Sequence, residues 1–170
     1  MTIRLAIFDL GGTIVDKYSL SPFISLKHAF KRKRINVNNN LIYKDMGINK
    51  HEHIKEILND KYTRRIWFKL YGEYPNSSSV MSVYDEFIKY QMEGISNIEI
   101  LPETKNCIQW LKANNINTGV TTGFSRPIMS AIKEKLIDDD IHIDKYVSST
   151  CLGKPGRPNP HMLNEIINTL

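Results

Sequence analysis

The residues of this chain best suited to chemistry fall in four short stretches. The first is "IFDLGGTIVD" at 7–16, in which an apolar run delivers Asp9 into a turn made by Gly11, Gly12 and Thr13. An aspartate on such a turn can attack phosphorus, because glycines let backbone N–H groups come close to an anion. Gly11 stands two residues after Asp9, where many phosphate-transferring enzymes carry a second acid. In the second stretch, "TTGFSRP" at 121–127, the Thr122 hydroxyl can donate to a phosphoryl oxygen and Gly123 follows it. Ser125 and Pro127 there mark a helix start whose free N–H groups favour anions. The third stretch, "GKPGRPNP" at 153–160, offers the donor fork of Arg157 and, in competition with it, the point charge of Lys154.

The fourth stretch is "MGINKHEHIKEIL" at 46–58. Asn49 with Glu52 three residues later fits a capping box, which makes Lys50 the first helical residue. A cation there faces the positive end of the helix dipole, a term of about 0.3–1 kcal/mol, so burial must supply most of any activation of its amine. A neutral lysine amine can attack an aldehyde. Read singly, each stretch keeps an ordinary alternative: a plain strand-to-helix turn at 122–127, a surface cation at 154 or 157, a solvent-facing helical lysine at 50.

These groups must be positioned by secondary structure. "TIRLAIFDL" at 2–10 lacks a helical period and suits a strand buried on both faces, with Asp9 at its C-terminal end. From 21 to about 98 amphipathic helices follow, with stripes at Phe23, Leu26 and Phe30, at Ile66 and Leu70, and at Val80, Val83, Tyr84, Phe87 and Ile88. "NVNNN" at 36–40 and "YPNSSS" at 74–79 read as loops. Beyond Pro102 the pattern predicts a helix at 103–113, a strand at 116–122, a helix at 126–136, a strand at 146–149 and a final helix opened by Asn159 and Pro160. Alternating strands and helices indicate a parallel sheet with helical crossovers, in which ligands bind beyond the C-terminal strand ends. The expected class is α/β, a Rossmann-like sheet built from 1–17 and 99–170 with an inserted α-helical cap at 18–98.

The chain has 170 residues and a formal net charge of +5, which suits anionic ligands. Its basic residues are scattered, and the densest cluster, "KRKR" at 31–34, ends an amphipathic helix, so nucleic acid is not an expected partner. Cys107 and Cys151 have no metal-ligand spacing and make a poor disulfide framework, which points to a reducing, cytoplasmic setting. No leader pattern and no apolar run of membrane-spanning length is present, so no membrane association is expected.

Taken in order, the motifs resemble the haloacid dehalogenase superfamily and, within it, the phosphonoacetaldehyde hydrolase family. That family carries "DxAGT", "MGxxKxxHI", "TTG" with a nearby arginine, and "GRPxPxM". This chain has Asp9 to Thr13, Met46-Gly47 through Lys50 to His53-Ile54, Thr121-Thr122-Gly123 with Arg126, and Gly156-Arg157-Pro158 through Pro160 to Met162. The resemblance implies cleavage of the carbon–phosphorus bond of phosphonoacetaldehyde, with Asp9 as nucleophile and Lys50 as Schiff-base lysine supported by His53 and Met46. It implies substrate contacts from Thr122, Gly123, Arg157, Gly12 and Thr13, and Mg2+ held by Asp9 and the Gly11 carbonyl. Members of the family continue through a fourth strand and a "GD" loop whose acids complete the magnesium site. The expectation is therefore a core incomplete at the C-terminus, a weakened metal site, and an edge on the first strand that a second copy or a companion chain would cover. Asp138, Asp139 and Asp140 do not match the "GD" loop and read as a solvated turn. A non-catalytic remnant or phosphate-binding module, and a hydrolase of phosphate esters, are the alternative readings.

Overall fold

A computed structural model describes residues 2–17 and 19–170. They form two compact units, one from Met1–Leu20 with Ile95–Leu170, the other Ser21–Gly94. In chain order the elements are β1 (Leu5–Asp9), α1 (Leu20–Arg32), α2 (Asn39–Lys44), α3 (Lys50–Asn59), α4 (Lys61–Tyr71), α5 (Ser77–Glu93), α6 (Glu103–Ala113), β2 (Asn117–Thr122), α7 (Arg126–Asp138), β3 (Lys145–Ser148), α8 (Ser149–Leu152) and α9 (His161–Thr169).

The first unit is α/β. Its three strands are parallel in the order β1-β2-β3. Register pairs Asp9 with Thr121 and Thr122 with Ser148, so the C-terminal strand ends lie side by side. Val120, Val147, Ile128, Ile132 and Ile166 fill the core. Gly119 is required where α9 crosses the sheet, since a Cβ at this position would lie 2.6 Å from Cγ2 of Ile166. β1 departs from the expected strand buried on both faces: all its residues are half-buried. The reason is its place at the edge, where among the described residues it pairs as a strand with β2 alone.

The second unit is helical. Leu26, Ala29, Phe30, Ile54, Ile57, Val83 and Phe87 are buried within it. Two expected loops, 36–40 and 74–79, are non-helical over 36–38 and 74–76 as expected but hold helix starts in their later part. Asn38 caps α2 by accepting from the Asn40 N–H, and Asn76 forms a capping box with Ser79 at the head of α5. Loops and N-caps favour the same short polar side chains, so composition alone does not separate them. In α4 the buried face is Thr63 and Trp67 rather than Ile66 and Leu70, and Leu70 is exposed.

Candidate active site

Within the α/β unit the first candidate group gathers at the strand ends. Asp9 Oδ1 accepts from the Leu10 N–H at 2.8 Å and from Nη2 of Arg157 at 2.9 Å. The same Arg157 nitrogen donates to the Thr121 carbonyl at 3.0 Å and approaches Oγ1 of Thr121 at 2.8 Å. Asp9 and Arg157 keep 41% and 30% of their side-chain surface exposed, so the pair is open to solvent and to ligands. Of the two cations weighed from the sequence, Arg157 is the one on the aspartate, whereas Lys154 is exposed. The Oδ2 atom of Asp9 makes no hydrogen bond among the described residues.

Thr122 is buried, and its Oγ1 accepts from the Phe124 N–H at 3.1 Å, which leaves the hydroxyl proton to donate elsewhere. Ser125 precedes α7, and its Oγ is buried without a hydrogen-bond partner. The glycine turn is tied up internally. The Gly12 N–H donates to the Val15 carbonyl at 2.7 Å and the Thr13 N–H leans on Leu10 O at 3.4 Å. Gly12 has φ of +83°, a conformation that favours glycine.

The helical unit carries the second group. α3 begins at Lys50, as its pattern predicts, with the Asn49 side chain accepting from the His51 N–H at 2.9 Å. Lys50 is only 3% exposed, and its Nζ donates to the carbonyls of Met46 and Ile48. Lysine is almost never buried to this degree without a specific reason. His53, fully buried one turn later on α3, has Nε2 3.4 Å from the Leu41 carbonyl and an unpartnered Nδ1. Burial first, and the charge of Lys50 second, push its pKa down to about 4, so the imidazole is neutral near pH 7. His51 stacks on Tyr84 with ring centroids 3.7 Å apart.

Magnesium prefers oxygen ligands and keeps several waters. Asp9 Oδ2 and the Gly11 carbonyl are donors of that kind. Among the described residues no group of three His, Cys, Asp or Glu side chains could hold a metal. By chemistry alone, the oxygen donors of Asp9 and Gly11 suit such an ion. Asp138, Asp139 and Asp140 are exposed at the end of α7, and Asp140 faces Lys105 at 3.6 Å.

The profile of the haloacid dehalogenase-like hydrolases matches residues 3–170. The chain belongs to that family. Among curated relatives, the phosphonoacetaldehyde hydrolase of Latilactobacillus sakei is 30% identical over 97% of this chain and 62% of its own length. The Hahella chejuensis protein of the same name is 29% identical over 94% of this chain and 54% of its own. The chain thus spans less than two thirds of these relatives. Its fold matches that of a phosphonoacetaldehyde hydrolase-like protein from Oleispira antarctica with a TM-score of 0.89, at 24% identity, over 98% of this chain and 60% of that one. A β-phosphoglucomutase from Clostridium difficile has the same fold at a TM-score of 0.73 and 21% identity. No helix among the described residues is long and apolar enough to cross a membrane.

Two features escape sequence reasoning. Thr121 positions Arg157, a contact between residues 36 apart that no local spacing encodes. Phe124 lies against Gly11, and only its place two residues after Thr122 hints at the site.

Proposed function

We propose that this hydrolase cleaves the carbon–phosphorus bond of phosphonoacetaldehyde. The observation that carries the reading is Lys50, a buried amine at the head of α3 with a buried His53, held neutral, three residues on. Curated relatives named for this reaction add support. Gly11 is consistent with it as well.

In this reading the Lys50 amine adds to the aldehyde and water leaves, giving an iminium. A carboxylate oxygen of Asp9 attacks phosphorus, and the carbon–phosphorus bond breaks. Its electron pair moves into the iminium, which becomes an enamine, so no alkoxide forms and no second acid is needed to protonate one. Water then hydrolyses the aspartyl phosphate. The enamine takes a proton on carbon, and a second water releases acetaldehyde and restores the lysine. Neutral His53 is suited to exchanging protons during the imine steps, and the Met46 carbonyl steadies the amine beforehand. Arg157, Thr122 and Gly123 would hold phosphoryl oxygens, and the arginine would exchange one carboxylate contact for those of the substrate. Asp9 and the Gly11 carbonyl would hold Mg2+, which supplies charge neutralisation between the carboxylate and the phosphonate. A strand from a second copy or a companion chain on the open edge of β1 belongs to the same reading.

Borohydride added with acetaldehyde or phosphonoacetaldehyde tests the central residue. A covalent adduct confined to Lys50 by mass spectrometry, and absent in Lys50→Arg, is the expected result. An adduct spread evenly over surface lysines would sink the assignment.

A further inference from the structure

The turn after Asp9 is tightly packed at position 11. A Cβ built on Gly11 would lie 3.2 Å from Cε2 and 3.3 Å from Cζ of Phe124, tighter than ordinary van der Waals contact. Phe124 is 4% exposed, and its backbone N–H is bonded to Oγ1 of Thr122, so a Cβ at position 11 would have to shift a buried ring by a few tenths of an ångström. The ring therefore crowds the place where a side chain two residues after the nucleophile would begin.

From this contact we infer that Phe124 is a specificity-determining residue: its ring closes the position from which a second acid would protonate an alcohol leaving group. The consequence for chemistry is direct. When a phosphate ester is attacked by Asp9, the phosphorus–oxygen bond breaks with its electron pair on the alcohol oxygen, which must take a proton from a nearby acid. With an aromatic ring at that place no acid is available, and reactions whose electrons leave into a carbon framework are favoured instead. Glycine at position 11 is then a packing requirement of Phe124 as well as the absence of a carboxylate. Replacing Gly11 alone would crowd the ring without creating a working acid.

The inference rests on the proposed reaction for its chemical meaning, but its steric core does not, and the experiment separates them. Gly11→Ala, Gly11→Asp, Phe124→Leu, Phe124→Ala and the double variants are compared by thermal unfolding. Gly11→Ala should lower Tm by about 2–4 °C in the parent, the shift expected of roughly 1 kcal/mol of overpacking in a chain of this size, and by less than half as much in either Phe124 variant. Phe124→Leu keeps the test alive should Phe124→Ala fail to fold. Equal shifts in all backgrounds would overturn the steric claim. Hydrolysis of an unactivated alkyl phosphate is then assayed: Gly11→Asp with Phe124→Ala should exceed Gly11→Asp alone by at least about 10-fold, on the scale of a positioned general acid. Equal rates in the two variants, or none in either, would overturn the specificity claim. Failure of borohydride trapping at Lys50 would leave the unfolding result standing and strike only the proposed reaction.

Discussion

At the strand ends of the α/β unit, Arg157 and Asp9 meet at 2.9 Å with 30% and 41% of their side chains in solvent. In the helical unit Lys50 and His53 are 3% and 0% exposed, and the lysine spends its hydrogen bonds on backbone carbonyls. The first pair is cheap to hold and easy to rearrange, because exposed ion pairs contribute little and a ligand oxygen can replace a carboxylate oxygen. The second carries the desolvation cost of burying polar groups, which the hydrogen bonds of Lys50 offset in part. In the proposed reaction, anion recognition and amine chemistry would thus be prepared by opposite means, one by ready exchange and the other by burial.

The sharpest way to break this contrast is to remove one charged group from each unit. Asp9→Asn should abolish carbon–phosphorus cleavage by about 10⁴-fold or more, the scale of losing a nucleophile, yet change unfolding stability by less than about 1 kcal/mol. Lys50→Met should abolish cleavage and trapping equally while raising stability by about 1 kcal/mol, since an apolar side chain of similar length replaces a buried amine. Product assays and denaturant melts on both variants check the pair. A strongly destabilised Lys50→Met would mean that the lysine holds the helical unit together.

The next effect is in pH. His53 has a folded pKa of about 4, below its ordinary 6.5, so between these values the unfolded chain binds the proton and the folded chain does not. The contribution of His53 to stability is therefore intact above about pH 6.5 and is lost as pH falls toward 4, by roughly 3 kcal/mol in all. His53→Gln should flatten that part of the stability profile, measured by urea melts from pH 4 to 7. An unchanged slope would show that His53 is protonated more easily than its burial implies.

The smallest difference lies between the two cations of the 153–160 segment. Arg157→Ala should weaken binding of inorganic phosphate by about 10-fold, the loss of a charge-assisted hydrogen bond, and Lys154→Ala by less than 2-fold, roughly what an exposed charge contributes. Calorimetric titration decides it. The reverse order would move the anion site away from Asp9.

Much of this is legible in the sequence. The run ending at Asp9, the strand ending at Thr122 and the helix starting at Lys50 are each announced by local patterns, because period, cap and turn are properties of neighbouring residues. The asparagine and serine runs mark loops at 36–38 and 74–76 but hide the helix starts that follow, since a side chain that ends a loop is the same one that caps a helix. What stayed hidden is what depends on distance. Arg157 reaches Asp9 across 148 residues, and Phe124 covers Gly11 from another strand end. Neither contact leaves a mark in local spacing.

The register of β1 on β2 has a consequence for how the protein is made. Leu5 pairs with Asn117, so the first strand waits while about a hundred further residues leave the ribosome. At bacterial or eukaryotic elongation rates that is roughly 5–20 s during which an apolar strand has no partner of its own. The helical segment Ser21–Gly94 emerges in this interval and, rich in local contacts, can fold first. Synthesis thus leaves "LAIFD" unpaired until β2 has emerged, and variants that slow translation of 21–116 should yield more aggregate without altering the finished fold.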